Sequence, residues 1–157
     1  MPRMLQANRQ GFFKHRYEIT DGAGPVTELA DFRRESCEFS LGGQRHRVAR
    51  ENRKRLVFHG PTGWLATADR ESGKRWTIRS TTGHFELVRP SAWRSGWELH
   101  QHGRPLGTVS RKGKRSTAEL PTTVDLPTQL FAYYVVLIIW ERESSAAAGA
   151  AAGGGGG

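Results

Sequence analysis

The sequence predicts an all-β domain, an antiparallel β-barrel closed around a single apolar helix at the C-terminal end of the chain. Three observations lead there. Between Gly11 and Leu120, short runs of alternating apolar and polar residues recur at a spacing close to ten, each closed by Gly, Pro, Asp, Asn or Ser. No helix-period pattern interrupts them. After them, Leu130 to Trp140 is an unbroken run of eleven apolar or aromatic residues.

The first run, Arg16 to Thr20, ends at Asp21-Gly22, and Val26 to Ala30 follows. Cys37 to Leu41 ends at Gly42-Gly43 and is answered by Gln44 to Val48. Arg55 to His59 and Trp64 to Ala68 flank Gly60-Pro61-Thr62-Gly63. This segment reads as a turn and not a phosphate loop, because no helix follows to supply its N-terminal amides. Arg75 to Arg79 and His84 to Leu87 flank Ser80 to Gly83. Gly96 to His100, Leu106 to Ser110 and Thr117 to Leu120 complete about eleven strands. Even spacing of many short strands favours a barrel or sandwich over alternating strand-helix units.

The apolar run is long for one strand. Pro127 lies near its start, Asp125 and Thr128 are candidate N-caps, and Glu141-Arg142-Glu143 closes it, so the expectation is a helix from about Leu126 to Glu143. Its Val and Ile content suits a strand, but length and the proline weigh more. A helix apolar on every face must be surrounded by protein or by lipid. A membrane span needs about 20 apolar residues to cross roughly 30 Å, and this run is shorter. The preferred reading is a helix threaded through the barrel, with Leu130, Phe131, Tyr134, Val135, Leu137 and Ile138 packed against inward strand residues Tyr17, Ile19, Phe39, Trp76, Ile78, Phe85 and Leu87. Residues 144–157 contain only Ser, Ala and Gly and read as a disordered tail, leaving one domain over 1–143.

Of the 157 residues, 24 are Lys or Arg and 15 are Asp or Glu, a net charge of +9, with a pI near 10.6. With glycine counted and tyrosine left out, about 46% of the chain is apolar, which excludes wholesale disorder. A single cysteine, Cys37, excludes an intramolecular disulfide framework and a cysteine-rich zinc module, and it points to a reducing interior. Alternating with Phe39 and Leu41, it reads as a core thiol. Met1 to Arg9 lacks the apolar stretch of roughly 7 to 15 residues that a secretory signal needs, and reads as a mature start.

Two basic clusters stand out. One comprises Arg45, Arg47, Arg50, Arg53, Lys54 and Arg55 with Glu51 among them; the other comprises Arg111, Lys112, Lys114 and Arg115 with no acid. Guanidinium forks and ammonium point charges both attract phosphates. The competing reading is a solvated strand edge protected by charge. Nucleic acid is another polyanion for such a surface, with Trp64, Trp93 or Trp97 available to stack on bases, but no zinc finger, RNP-type strand or helix-turn-helix signature is present. Two residues apart and expected on one face of a strand, His100 and His102 could make half of a metal site, but no third ligand is identifiable, so turn or surface histidines and no metal are expected. No nucleophile elbow, phosphate-binding loop or Cys-His pairing occurs, so no catalytic residues and no cofactor are assigned.

Three phrases, in order, resemble a known family: Tyr17-Glu18-Ile19-Thr20-Asp21-Gly22, then Gly103-Arg104-Pro105-Leu106-Gly107-Thr108-Val109-Ser110, then Ala118-Glu119-Leu120-Pro121 before the apolar helix. With the layout they cover roughly residues 4–143 and are similar to the tubby C-terminal-like superfamily, which includes LURP-one-related proteins and phospholipid scramblases. The resemblance implies a twelve-stranded barrel around a hydrophobic C-terminal helix, and phosphoinositide head groups as ligands of surface basic residues. The scramblase calcium segment does not carry over, because Arg111 to Thr117 is basic where acids are needed. The functional expectation is a monomeric, non-enzymatic module binding anionic phospholipid head groups at the cytoplasmic face of a membrane. The alternatives are a C-terminally anchored scramblase-like protein, and a nucleic-acid or acidic-protein binding module.

Overall fold

The computed structural model describes residues 2–10, 16–30, 35–90, 96–113 and 115–154. Twelve strands precede one helix: β1 (Pro2–Gln10), β2 (Arg16–Asp21), β3 (Gly24–Leu29), β4 (Cys37–Leu41), β5 (Gln44–Asn52), β6 (Arg55–Gly60), β7 (Gly63–Ser72), β8 (Arg75–Ser80), β9 (Gly83–Val88), β10 (Trp97–Gln101), β11 (Arg104–Lys112), β12 (Arg115–Pro121) and α1 (Leu126–Gly154). The eleven strands read from alternation are present, and the twelfth is β1. Its inward pair is only Leu5 and Ala7, too short an alternation to stand out among polar neighbours.

The strands form one antiparallel sheet in the order β3-β2-β1-β12-β11-β10-β9-β8-β7-β6-β5-β4. The long-range step is β1 on β12, in register from Pro2 opposite Pro121 to Asn8 opposite Arg115. The sheet curls until its two edges, β3 and β4, lie against each other, giving a nearly closed barrel. At this seam the Thr27 hydroxyl donates to the Ser40 carbonyl at 2.8 Å. Every second side chain points inward. In β8, Trp76 and Ile78 are buried while Arg79 faces out, and Tyr17, Ile19, Phe39, Phe85 and Leu87 are buried as expected.

Helix α1 runs through the barrel. Every residue from Leu130 to Trp140 is buried, including Leu130, Phe131, Tyr134, Val135, Leu137 and Ile138. Its start is held by neutral and cap hydrogen bonds. Asp125 Oδ2 accepts from the Thr128 amide (3.1 Å) and hydroxyl (2.9 Å), so Asp125 is the N-cap and Thr128 is the residue it caps. The Thr82 hydroxyl holds the other Asp125 oxygen at 2.7 Å, tying the cap to the β8–β9 hairpin. Gln129 donates to the carbonyls of Pro121 (2.9 Å) and Val124 (2.8 Å), fixing the turn that feeds the helix into the barrel.

Inside, Phe39, His46, Phe58 and Phe131 form a cluster of near-parallel rings that joins β4, β5 and β6 to the helix, with Phe58 and Phe131 centroids 5.1 Å apart. The Tyr133 and Ser116 hydroxyls share a hydrogen bond of 2.6 Å. Burial pushes the Tyr133 hydroxyl well above its ordinary pKa, against the opposing pull of the Ser116 hydrogen bond and the Ala7 amide.

Two expectations are corrected. The helix does not stop near Glu143, and residues 144–154 are not a disordered tail; α1 continues to Gly154. Ser144 to Gly154 contains six alanines, the best helix former, and it extends a helix that already exists, so no nucleation cost is incurred. His100 and His102 do not share a strand face. His102 lies in the β10–β11 turn at a φ of 54°, while the His100 ring lies 3.3 Å from Glu98. No group of three metal-ligating side chains occurs among the described residues.

Two substitutions test this architecture. Leu137→Asp places an unpaired charge in the sealed interior and is expected to abolish folding, at a cost of about 4 kcal/mol or more, read as loss of the cooperative thermal transition. At Gly107 an added Cβ would sit 2.1 Å from the Glu119 carbonyl of the adjoining strand. Gly107→Ala should therefore lower stability by roughly 1–3 kcal/mol in chemical denaturation; an unchanged midpoint would mean that β11 and β12 are not so closely apposed.

Candidate functional site

In an antiparallel meander, alternate turns lie at the same end. Counting from the helix start gives a capped end, with the turns Gly22-Ala23, Gly42-Gly43, Pro61-Thr62, Thr81-Thr82, His102-Gly103 and Thr122-Thr123, none of them carrying Lys or Arg. The other, exit end carries the turns at Arg53-Lys54, Gly73-Lys74 and Gly113, together with Arg50, Arg55, Arg70, Arg75, Arg111, Lys112 and Arg115 on the flanking strand ends. Arg3, Arg45 and Arg104 lie on strand ends beside the capped-end turns, but more of the cations gather at the end from which α1 emerges, so the barrel is polarised.

The helix exit has two recesses. A cleft of about 890 Å³ lies between α1 and the β5–β6 and β7–β8 hairpins, lined by Glu35, Arg50, Arg53, Arg70, Gly73, Trp76, Ile139, Glu141, Arg142, Glu143, Ser145 and Ala146. On the other side of the helix a recess of about 90 Å³ is lined by Arg9, Tyr17, Arg111, Gly113, Arg115, Ser116, Leu137, Trp140, Glu141 and Ser144. The two predicted basic clusters thus meet around one helix, with only part of the first contributing.

Arg45 and Arg47 lie toward the capped end of β5, with Arg45 3.9 Å from Glu38. Arg55 is at the rim but committed: it donates to Asp69 at 2.7 Å, beside Arg79 at 2.9 Å on the other carboxylate oxygen. Burial works against ionisation of Asp69, yet the Arg55 and Arg79 hydrogen bonds prevail and hold its carboxyl below the ordinary range. Among the described residues, none of Arg53, Lys54, Arg70, Lys112 and Arg115 is paired with a carboxylate. Lys114 and Trp93 lie outside the described residues.

The mouth is sealed by arginines laid over indoles. Arg89 covers Trp97 at 5.0 Å, Arg111 covers Trp140 at 4.9 Å and Arg142 covers Trp76 at 5.7 Å. Each contact of this kind contributes about 0.5–2 kcal/mol and lets a charged surface sit directly on an apolar core. Arg142 is held from several directions. It grips both oxygens of Glu35, Nε to Oε2 and Nη2 to Oε1 at 3.0 Å, while Nη1 donates to the Arg53 carbonyl at 2.9 Å. Arg50 adds a hydrogen bond to Glu35 Oε1 at 2.9 Å. Across the helix the Tyr17 hydroxyl donates to Glu141 at 2.8 Å, and Arg89 pairs with Glu143. Burial first, and then Glu141, push the Tyr17 hydroxyl far above its usual pKa.

Arg9, Arg70, Lys74, Arg89, Arg142 and Glu35 escape a search for runs of charge, since each stands apart from the two clusters in sequence. Turn parity is the signal that finds Arg70 and Lys74. The others depend on where the helix leaves the barrel. No protein-family model, no curated protein and no solved structure matches the chain. No helix among the described residues is long and apolar enough to cross a membrane.

Glu35 makes the clamp sensitive to acid. Burial opposes its ionisation, but the Arg142 and Arg50 hydrogen bonds outweigh that and hold its carboxyl below the ordinary glutamate value of 4.5. A lowered folded-state value means stability that is present above about pH 4.5 and is lost as pH falls through the folded value. Thermal melts from pH 6 down to about pH 3 should therefore show a falling midpoint, and Glu35→Gln should flatten that fall while lowering the midpoint at pH 6. An unchanged slope would show that the pair does not contribute.

Proposed function

We propose that this chain is a tubby-like, LURP-one-related or scramblase-like barrel that acts as a non-enzymatic, monomeric module for anionic phospholipid head groups of phosphoinositide type. It binds peripherally, at the cytoplasmic face of a membrane, with the exit rim toward the lipid. One observation carries the reading: the unpaired cations Arg53, Lys54, Arg70, Lys112 and Arg115, from three separate hairpins, lie at one end of the barrel, while the turns of the opposite end carry no Lys or Arg. A planar array of fixed cations suits a planar array of anions, and each basic residue near such a surface contributes about 1 kcal/mol. The resemblance of the three sequence phrases to tubby-like proteins points the same way.

The rim favours lipid over nucleic acid. Trp64, the exposed aromatic among the described residues, lies near the start of β7 at the capped end and bonds Thr67, at the opposite end of the barrel from the unpaired rim cations beside which base stacking would be needed. The buried course of α1 favours a peripheral domain over one held by a helix in lipid.

Sedimentation with vesicles of graded anionic content tests the reading. Binding should rise with anionic lipid, fall with added salt and survive competition by duplex DNA. Replacing Arg111, Lys112, Lys114 and Arg115 with glutamine should weaken it by about 3–4 kcal/mol, at least a hundredfold, whereas Arg45→Gln with Arg47→Gln should change it little. Equal losses per charge removed from both sets would mean that net charge alone, and not the rim, is being measured.

A further inference from the structure

The large cleft beside α1 holds a carboxylate that a cation surface for lipids does not require. Glu35, its side chain only 10% exposed, is gripped by the Arg142 fork and by Arg50, while Arg53 and Arg70 stand unpaired nearby. The Arg70 amide donates to the Lys54 carbonyl at 2.8 Å, which brings the end of β7 onto the β5–β6 turn that carries Arg53. We propose that this cleft is a binding site for a phosphomonoester dianion, with the Glu35 carboxylate as a built-in occupant that the incoming phosphate displaces from Arg142 and Arg50. The proposal rests on the rim being an anion-binding surface and adds the ligand class and an internal competitor.

Three features support it. A guanidinium fork matches two oxygens of a carboxylate or of a phosphate equally well, so Arg142 needs no new geometry to exchange one for the other. The charge also fits. Of the three carboxylates lining the cleft, Glu141 accepts from Tyr17 and Glu143 pairs with Arg89, so both have partners outside it, and Glu35 is held by the cleft arginines Arg50 and Arg142. Once it leaves, four guanidiniums face the ligand, a match for a doubly charged monoester with three terminal oxygens rather than for a singly charged diester. Finally, Glu35 is held at a φ of 52°, a left-handed backbone conformation uncommon for a residue with a side chain. Residues held in such conformations cluster at ligand clamps and switch regions.

Displacement has a structural reporter. Glu35 belongs to the connection between β3 and β4, the two strands that meet at the seam without a ladder of their own. Phosphate binding should therefore loosen β3 and β4 while leaving β6 to β9 unchanged.

Calorimetric titration of the full chain with glycerol 3-phosphate, against glycerophosphocholine as the diester control, tests the site. The monoester should bind and the diester should not. Glu35→Gln should tighten the monoester about tenfold, because the competitor loses its charge, and Arg53→Gln with Arg70→Gln should weaken it about tenfold or more. Should Glu35→Gln not fold, the double arginine variant and hydrogen exchange of the unaltered protein still decide the matter. Faster exchange in β3 and β4 on adding glycerol 3-phosphate supports displacement, and slower or unchanged exchange there overturns it. Vesicles carrying phosphatidic acid or an equal charge of phosphatidylglycerol separate the sources. Preference for phosphatidic acid, lost in the double variant, identifies a lipid head group. Binding of glycerol 3-phosphate without vesicle binding supports the cleft as a site for a free phosphate and overturns the membrane reading. Vesicle binding with no monoester preference, weakened by Arg53→Gln with Arg70→Gln equally for both lipids, overturns the cleft and leaves the rim standing.

Discussion

A helix with no polar face leaves the rest of the chain little choice. From Leu130 to Trp140 every side chain has to be taken out of water, and burying one large aliphatic or aromatic side chain fully is favourable by about 1.5–3 kcal/mol. One flat sheet can cover only one side of such a cylinder. The sheet therefore wraps it, and the inward residue of each strand becomes part of a sleeve. This explains the glycine at 107, where two strands approach too closely for a side chain, and the ring cluster of Phe39, Phe58 and Phe131, which fills the sleeve with rigid shapes. It also explains why the barrel tolerates a seam. Enclosure needs contact all round, but it does not need a hydrogen-bond ladder at every interface.

The two ends of the sleeve are closed by different chemistry. At the capped end, hydroxyls of Thr82 and Thr128 donate to the Asp125 carboxylate and Gln129 donates to backbone carbonyls, locking the helix start without a cation. At the exit end the closures are ionic or cation–π, through Arg89, Arg111 and Arg142 over tryptophans and Glu35 between two arginines. Bonds that hold no cation offer nothing for a passing anion to compete for, whereas ion pairs are open to anions and weakened by salt. A molecule closed in this way is firm at one end and responsive at the other, and the responsive end is the one with unpaired cations beside it.

Much of this was legible in the residues. Alternation located eleven strands because each has one buried and one exposed face, and the length of the apolar run together with Asp125 and Pro127 placed the helix start. The extension to Gly154 was not legible, since a Ser/Ala/Gly composition reads as unstructured when considered without the helix that precedes it. β1 was hidden because two inward residues make too brief a period. The rim was half legible: the clusters at 50–55 and 111–115 are visible as runs, but their meeting depends on turn parity, which requires the meander first. The Glu35 to Arg142 pair, 107 positions apart, has no local signature at all. Its partners are brought together only by where the helix emerges.

The order of the elements along the chain has a consequence for how the protein is made. Its central filling, α1, is synthesised after all twelve strands, and β1 cannot find β12 until the ribosome has reached Pro121. Until then the strand region is a set of hairpins with an empty middle, exposing inward faces and unpaired edges that invite association with other chains. Folding must then wait for a contact that spans nearly all of the strand region, a slow class of closure. Truncation or proteolysis that removes α1 would not yield a smaller domain but a lining without its core.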